Sequence, residues 1–199
     1  MKKYRPLFSL LLLSGVAILF SGCFGRGEDD PFFSLHSRDA RLTQKWKMVQ
    51  MEGTEVNTID GQSTTTRYEF DGTSLFVTTD GQTESYGYDY RLNIGDNGDV
   101  VSTETFTDPS NPNETLQTST KTSFWFWSND NQNKTTVNLD ITGILSAYSS
   151  YDIPRLAWSD MTLVVNFSDN YQEIIDTTVV SSASTVDFEI RFDYDNGRD

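Results

Sequence analysis

The sequence predicts an all-β domain, an antiparallel up-and-down barrel of about 8 to 10 strands. Two observations carry this. Asp60-Gly61, Asp71-Gly72, Asp80-Gly81 and Asn97-Gly98 are dipeptides that accept the positive φ of tight hairpin turns. The runs between them are rich in Thr, Tyr, Phe and Val and alternate apolar with polar residues, the period of a strand with one wet face. Helix is expected only as short pieces near residues 38–43 and 144–148. A sheet of this many strands loses its edges by closing into a barrel, with a β-sandwich as the alternative.

Before the domain, Lys2, Lys3 and Arg5 precede an apolar run from Leu7 to Phe20, followed by Ser21, Gly22 and the chain's one cysteine, Cys23. The run of 14 residues falls short of the roughly 20 that a membrane-spanning helix needs. Residues 1–22 therefore read as an export signal. Small residues directly before a lone cysteine resemble the lipobox of bacterial lipoproteins. The resemblance implies cleavage ahead of Cys23 and acylation of its sulfur, an anchor worth about 0.8 kcal/mol per buried methylene. Phe24 in the next position resembles lipoproteins sent on to the outer membrane, and the acidic Glu28-Asp29-Asp30 resembles signals for surface export. Together they imply a cell-envelope location and leave the periplasmic or surface face open.

Residues 23–40 read as the lipidated cysteine and a flexible tether, with a span on the order of 20–25 Å. The globular domain is expected over 41–199. Without residues 1–22 the chain keeps 12 Lys+Arg against 29 Asp+Glu, a formal charge of −17. Phosphate backbones are repelled by such a charge, so nucleic acid is excluded as a partner. With Cys23 committed to lipid, no thiol is left for a disulfide or a thiolate metal site.

Along the domain, Tyr68 and Phe70 share a parity, as do Tyr86, Tyr88, Tyr90, Leu92 and Ile94, so residues 64–106 form a meander. Two prolines in Asp108–Pro112 predict a loop. A strand over 114–127 ends in Phe124-Trp125-Phe126-Trp127, apolar on both parities. Residues 128–133 make a polar turn, after which Val137, Leu139 and Ile141 alternate. Leu156 and Trp158 lie on even positions and Met161, Leu163, Val165 and Phe167 on odd ones, which requires a turn or bulge near Ser159-Asp160. Val186, Phe188, Ile190, Phe192 and Tyr194 form the last strand.

Leu42-Thr43-Gln44-Lys45-Trp46, followed by Tyr68-Glu69-Phe70-Asp71-Gly72 and Tyr88-Asp89-Tyr90-Arg91-Leu92, resembles the strand phrases of lipocalin-like domains. The resemblance covers residues 41–194. It implies a calycin-like barrel closed by the pairing of its first and last strands, with Trp46 packed under a last-strand arginine, for which Arg191 is the candidate. It also implies an interior that can hold a small hydrophobic molecule.

Chemistry-bearing residues are few. His36 is the single histidine and lies in the expected tether, and no G-x-S-x-G elbow occurs, which argues against nucleophilic hydrolysis. Without a second histidine or a free thiol, zinc, copper and haem sites are not expected, and no cofactor is implied. Asp193 and Asp195 share a strand face, and Asp96-Asn97-Gly98-Asp99 has calcium-like composition; a solvated strand end and a hairpin turn account for both. The expectation is a non-enzymatic protein. Tyr68, Phe70, Phe76, Tyr88, Tyr90 and Phe126 are its candidate ligand-binding aromatics, the alternative being that the same rings fill the core. Partners are then the membrane through Cys23, and a small hydrophobic molecule or an envelope protein. The alternative function is a surface-exposed interaction module, an adhesin or glycan-binding accessory protein, on a filled barrel or sandwich.

Overall fold

The computed structural model describes residues 30–31, 34, 36–128, 134–175 and 178–197, with the side chains of 171, 173–175 and 178–180 left aside. The expected export signal, residues 1–22, and Cys23 lie outside the described residues. Ten strands follow a five-residue helix α1 (Arg38–Leu42): β1 (Lys45–Ile59), β2 (Gln62–Phe70), β3 (Ser74–Thr79), β4 (Gln82–Ile94), β5 (Asp99–Asp108), β6 (Asn111–Trp127), β7 (Thr136–Leu139), β8 (Ser150–Leu156), β9 (Asp160–Ile175) and β10 (Thr178–Tyr194). A short 3-10 helix (Gly143–Ala147) stands between β7 and β8. Every pairing is antiparallel, successive strands are neighbours, and β1 pairs with both β2 and β10, which closes the ring. The sandwich alternative is thereby set aside.

The turns follow their residues. Asp60 and Gly61 have φ of 50° and 79°, and Asp80 and Gly81 have 49° and 83°, the pair of left-handed residues that a two-residue hairpin requires. Asp71 works differently. Its carboxylate accepts the amides of Thr73 and Ser74 at 2.9 and 2.8 Å, and these bonds hold it below the usual carboxylate range. The parity switch between β8 and β9 is resolved by the turn at residues 157–159, where the Ala157 amide donates to the Asp160 carbonyl at 2.8 Å. The β5–β6 boundary differs from expectation. Asn111 and Pro112 already belong to β6, because β5 and β6 shift register at Thr107 and a proline is tolerated beside such a bulge.

The ring is not the same at both heights. β2 and β3 stop at Phe70 and Ser74, so below them Lys45–Lys47 of β1 pair directly with Arg91–Asn93 of β4. β7 and β8 reach only the lower part, pairing Trp125–Trp127 of β6 and Met161–Val164 of β9. The base is therefore an eight-stranded ring of β1, β4, β5, β6, β7, β8, β9 and β10. Higher up, the β2–β3 hairpin enters the wall. Among the described residues, the upper parts of β6 and β9 there meet no strand on the side where β7 and β8 have ended.

An eight-stranded ring is just wide enough for side chains to fill, and the base is filled. Trp46, Met48, Met51, Leu92, Ile94, Val100, Leu139, Ile153, Leu163, Ile190 and Phe192 are buried. A bulge between Met48 and Gln50 keeps both methionines inside despite their different parity. Burial of this kind stabilises by about 1.5–3 kcal/mol for each large apolar side chain.

The tether is shorter than the sequence suggested. Asp30 is 4% exposed and lies beneath β8: one carboxylate oxygen accepts the Leu156 amide at 2.7 Å, and the other pairs with Arg38 at 2.6 Å and Arg41 at 3.3 Å. Arg38 donates onward to the Ile153 carbonyl at 3.0 Å, and Arg41 to that of Leu156. These bonds tie α1 to the base as a cap. His36 is likewise no loose tether residue, since its ring stacks on Trp158 with centroids 4.1 Å apart.

Candidate functional site

Residues directly opposite each other in a ladder share a face, so the register states which aromatics point inward. Four of the six candidate ligand-binding rings do. Tyr90 and Phe70 are sealed in the core, Tyr88 is buried, and Tyr68 is half-buried at the upper end. Phe70 meets Tyr88 at 5.2 Å between centroids, and other core rings complete the packing, Phe106 against Tyr88 at 5.1 Å and Phe188 against Tyr68 at 5.4 Å. Phe188 in turn lies across Gly53, where an added Cβ would overlap its ring. The lower interior is packed ring against ring.

The other two rings point outward. Phe76 stands opposite Glu69 on the outer wall, between the inward Leu75 and Val77. Phe126 is 60% exposed, because Trp125 and Trp127 take the inward parity of β6 and pack against the core. Neither faces the interior, which corrects their assignment to a lining. Arg191 is corrected as well. It lies on the outer face opposite Gln50 and binds Glu189 at 2.7 Å, since Ile190 and Phe192 occupy the inward parity. Trp46 is closed from below by α1, its indole donating to the Leu42 carbonyl at 2.9 Å. Arg191 instead lines a shallow outer cleft of about 560 Å³ with Arg155, Asp160 and Glu189.

A polar cluster inside the barrel escaped the sequence reading. Glu104 on β5 is 3% exposed and accepts the Tyr88 hydroxyl at 2.9 Å and the Ile144 amide at 3.0 Å. Ser102 accepts the Thr142 amide at 2.9 Å, and the Tyr90 hydroxyl donates to the Thr142 carbonyl at 3.0 Å. Tyr151 donates to the carbonyls of Leu145 and Tyr148 at 2.9 and 3.2 Å. The segment from Thr142 to Tyr148 is thus laced into the interior as a plug. Gly143, at φ 77°, lies so close to the Glu104 carboxylate that a Cβ would overlap it. Burial first, and then the Glu104 charge, hold the Tyr88 hydroxyl far above its ordinary value; burial does the same for Tyr90 and Tyr151. Alternation of Ser102 and Glu104 with outward Thr residues carried the signal, but a polar inward face looks like an outward one in sequence.

Above the plug the character changes. Residues 111–118 of β6 are exposed on both faces, and Thr105–Thr118 and Ser168–Thr185 pairs stud the outer walls of the hairpins. Phe167, on the inward parity of β9, is 41% exposed beside Tyr148, with centroids 5.9 Å apart.

The remaining candidates are structural. The Asn97 side chain accepts the Asp99 amide at 3.1 Å and donates to its carboxylate at 2.5 Å, closing the β4–β5 turn on itself. Asp195 accepts Arg91 at 2.9 Å. Among the described residues, no three His, Cys, Asp or Glu side chains are grouped to hold a metal ion.

Fold and surfaces define a ten-stranded antiparallel up-and-down barrel with a capped, filled base and polar hairpins above it. No protein family model and no curated protein sequence matches the chain.

Proposed function

We propose that this is a lipid-anchored, non-enzymatic cell-envelope protein whose barrel, similar in strand plan to lipocalin-like domains, serves as a scaffold for a protein partner. The observation that carries the reading is the pair of strand edges that, among the described residues, stay open above the plug, residues 111–120 of β6 and 168–175 of β9. An unpaired strand edge offers a row of amides and carbonyls to which an extended segment of another chain can add. The contacting rings at Phe70, Tyr88 and Tyr90 leave the lower interior to core packing, which weighs against a ligand buried there. A signal-like N-terminus ending at Cys23 supports the anchor.

The test is site-specific photo-crosslinking in the native envelope. Crosslinkers at Leu116 and Gln172, one on each edge, are expected to capture the same protein, while one at Phe76 on the far wall captures none. Equal capture from all three positions, or none from the edges, contradicts the reading. A second reading is favoured by Phe167: a small amphiphile resting at the upper mouth against Phe167, Tyr148 and Tyr68. A stoichiometric small molecule in the native mass spectrum of the purified protein would select it.

A further inference from the structure

The apolar side chains left exposed are sorted by height. Phe124 (73% exposed), Phe126 (60%), Trp158 (49%) and Tyr194 (47%) all belong to the base, and all are aromatic. The base level is fixed by Trp125, whose amide and indole donate to the carbonyls of Gly98 and Gly95 in the β4–β5 turn, both at 2.8 Å. Trp158 sits in the β8–β9 turn, and the Tyr194 amide donates to the neighbouring Ser159 carbonyl at 2.8 Å. These residues therefore lie along half of the rim of the base, from β6 across β7, β8 and β9 to β10, an arc of about 20 Å at the usual strand spacing.

Asp30, where the described chain starts, is bonded to Leu156 on β8, in the middle of that arc. Six residues lie between Cys23 and Asp30, and the seven steps, fully extended, reach at most about 25 Å. An acylated Cys23 would keep the base, and not the upper hairpins, within reach of the bilayer.

We infer that Phe124, Phe126, Trp158 and Tyr194 form a docking face that enters the interfacial layer of the membrane carrying the lipid anchor. This rests on the anchor proposed above. Aromatic rings are the side chains that settle at the headgroup level, where one part of the ring is wet and the rest is apolar. They are also what a filled, highly acidic barrel could set there without requiring anionic lipid. The docked barrel stands with its base down and its open strand edges directed away from the membrane, toward a partner.

The experiment uses the full acylated protein with a nitroxide on Asp96→Cys, in the exposed base turn, or on Ser63→Cys, in the upper β1–β2 hairpin. With Cys23 held as a thioether, the introduced thiol is the one site that labels. A second nitroxide per chain would overturn the anchor itself, and the docking face with it. On phosphatidylethanolamine–phosphatidylglycerol vesicles, collision of the base label with a water-soluble nickel chelate is expected to fall severalfold below that of the upper label. The combined replacement of Phe124, Phe126, Trp158 and Tyr194 by Ser is expected to abolish the difference while leaving acylation and the β-sheet circular dichroism unchanged. If that variant does not fold, Phe126→Ser with Trp158→Ser takes its place. Equal accessibility of the two labels, with a single nitroxide per chain, overturns the docking face alone. A doubled mass with the base label already shielded in detergent assigns the face to a second copy, and overturns it too.

Discussion

Along β6, Trp125 and Trp127 pack against the core at the base of the barrel, while the residues from Asn111 to Thr118 on the same strand are exposed on both faces. β9 divides the same way, with Met161, Leu163 and Val165 buried and residues 166–170 exposed. Base and upper hairpins thus share strands but not the means of staying folded. The base is held by burial in an eight-stranded ring and by a charged cap beneath it. The hairpins are held by backbone ladders, tight turns and Thr–Thr pairs. The difference teaches that one β-barrel can be a hydrophobic core at one end and a solvated sheet at the other.

This contrast can be broken first at the base. Trp46→Ala should cost about 3–5 kcal/mol, as large core truncations do. Asp30→Ala should cost about 3 kcal/mol, because it leaves two buried guanidinium groups facing each other without their carboxylate. Denaturant unfolding of both variants measures this, and a loss below about 1 kcal/mol for Asp30→Ala would show that the cap is dispensable.

A somewhat smaller effect is expected from Gly53→Val. The new side chain must displace the Phe188 ring, which should destabilise by about 1–3 kcal/mol. Thermal unfolding at matched concentration reads it.

The buried phenols give a pH test of the same region. Tyr88, Tyr90 and Tyr151 keep their protons in the native state well above the ordinary tyrosine value, chiefly because of burial. The unfolded chain releases these protons from about pH 10. Their contribution is therefore complete below about pH 10 and declines as pH rises beyond it. Phenolate absorbance from these three residues should appear only together with the loss of circular dichroism. A single smooth titration with the sheet intact would contradict the sealed interior. Least affected should be the upper hairpins, where Thr118→Ala, on the outer wall opposite Thr105, should shift stability by no more than about 0.5 kcal/mol in denaturant unfolding.

Much of this fold could be read from the residues alone. The Asp-Gly turns were legible because few residues accept positive φ, and the meander because Tyr88, Tyr90, Leu92 and Ile94 repeat at a strand's period. Ring closure through β1 and β10 was also expected. The hairpin extension over residues 168–175 and 178–185 was not, since Ile174, Ile175, Val179 and Val180 fall in adjacent pairs among polar residues and give no strand period, so that the ladder alone makes these strands. Asp30 was read as tether because isolated charges favour water; only its two arginines, brought near by α1, reverse that preference. Arg191 and Phe76 were misplaced although parity already argued against them, as each alternates with inward apolar residues. Phe126 was harder, because in Phe-Trp-Phe-Trp both parities are aromatic and only the ladder with β7 decides which pair turns in. The Glu104 plug was hidden for the reverse reason, an inward face written in polar letters.

Native-state hydrogen exchange tests most directly that a single barrel is built on two principles. Amides of Trp125, Leu163 and Ile190 at the base are expected to open only with global unfolding, while hydrogen-bonded amides between Glu114 and Thr120 and between Ser168 and Gln172 exchange through local opening at much lower free energy. Uniform protection along β6 and β9, or greater protection in their upper halves, would contradict it.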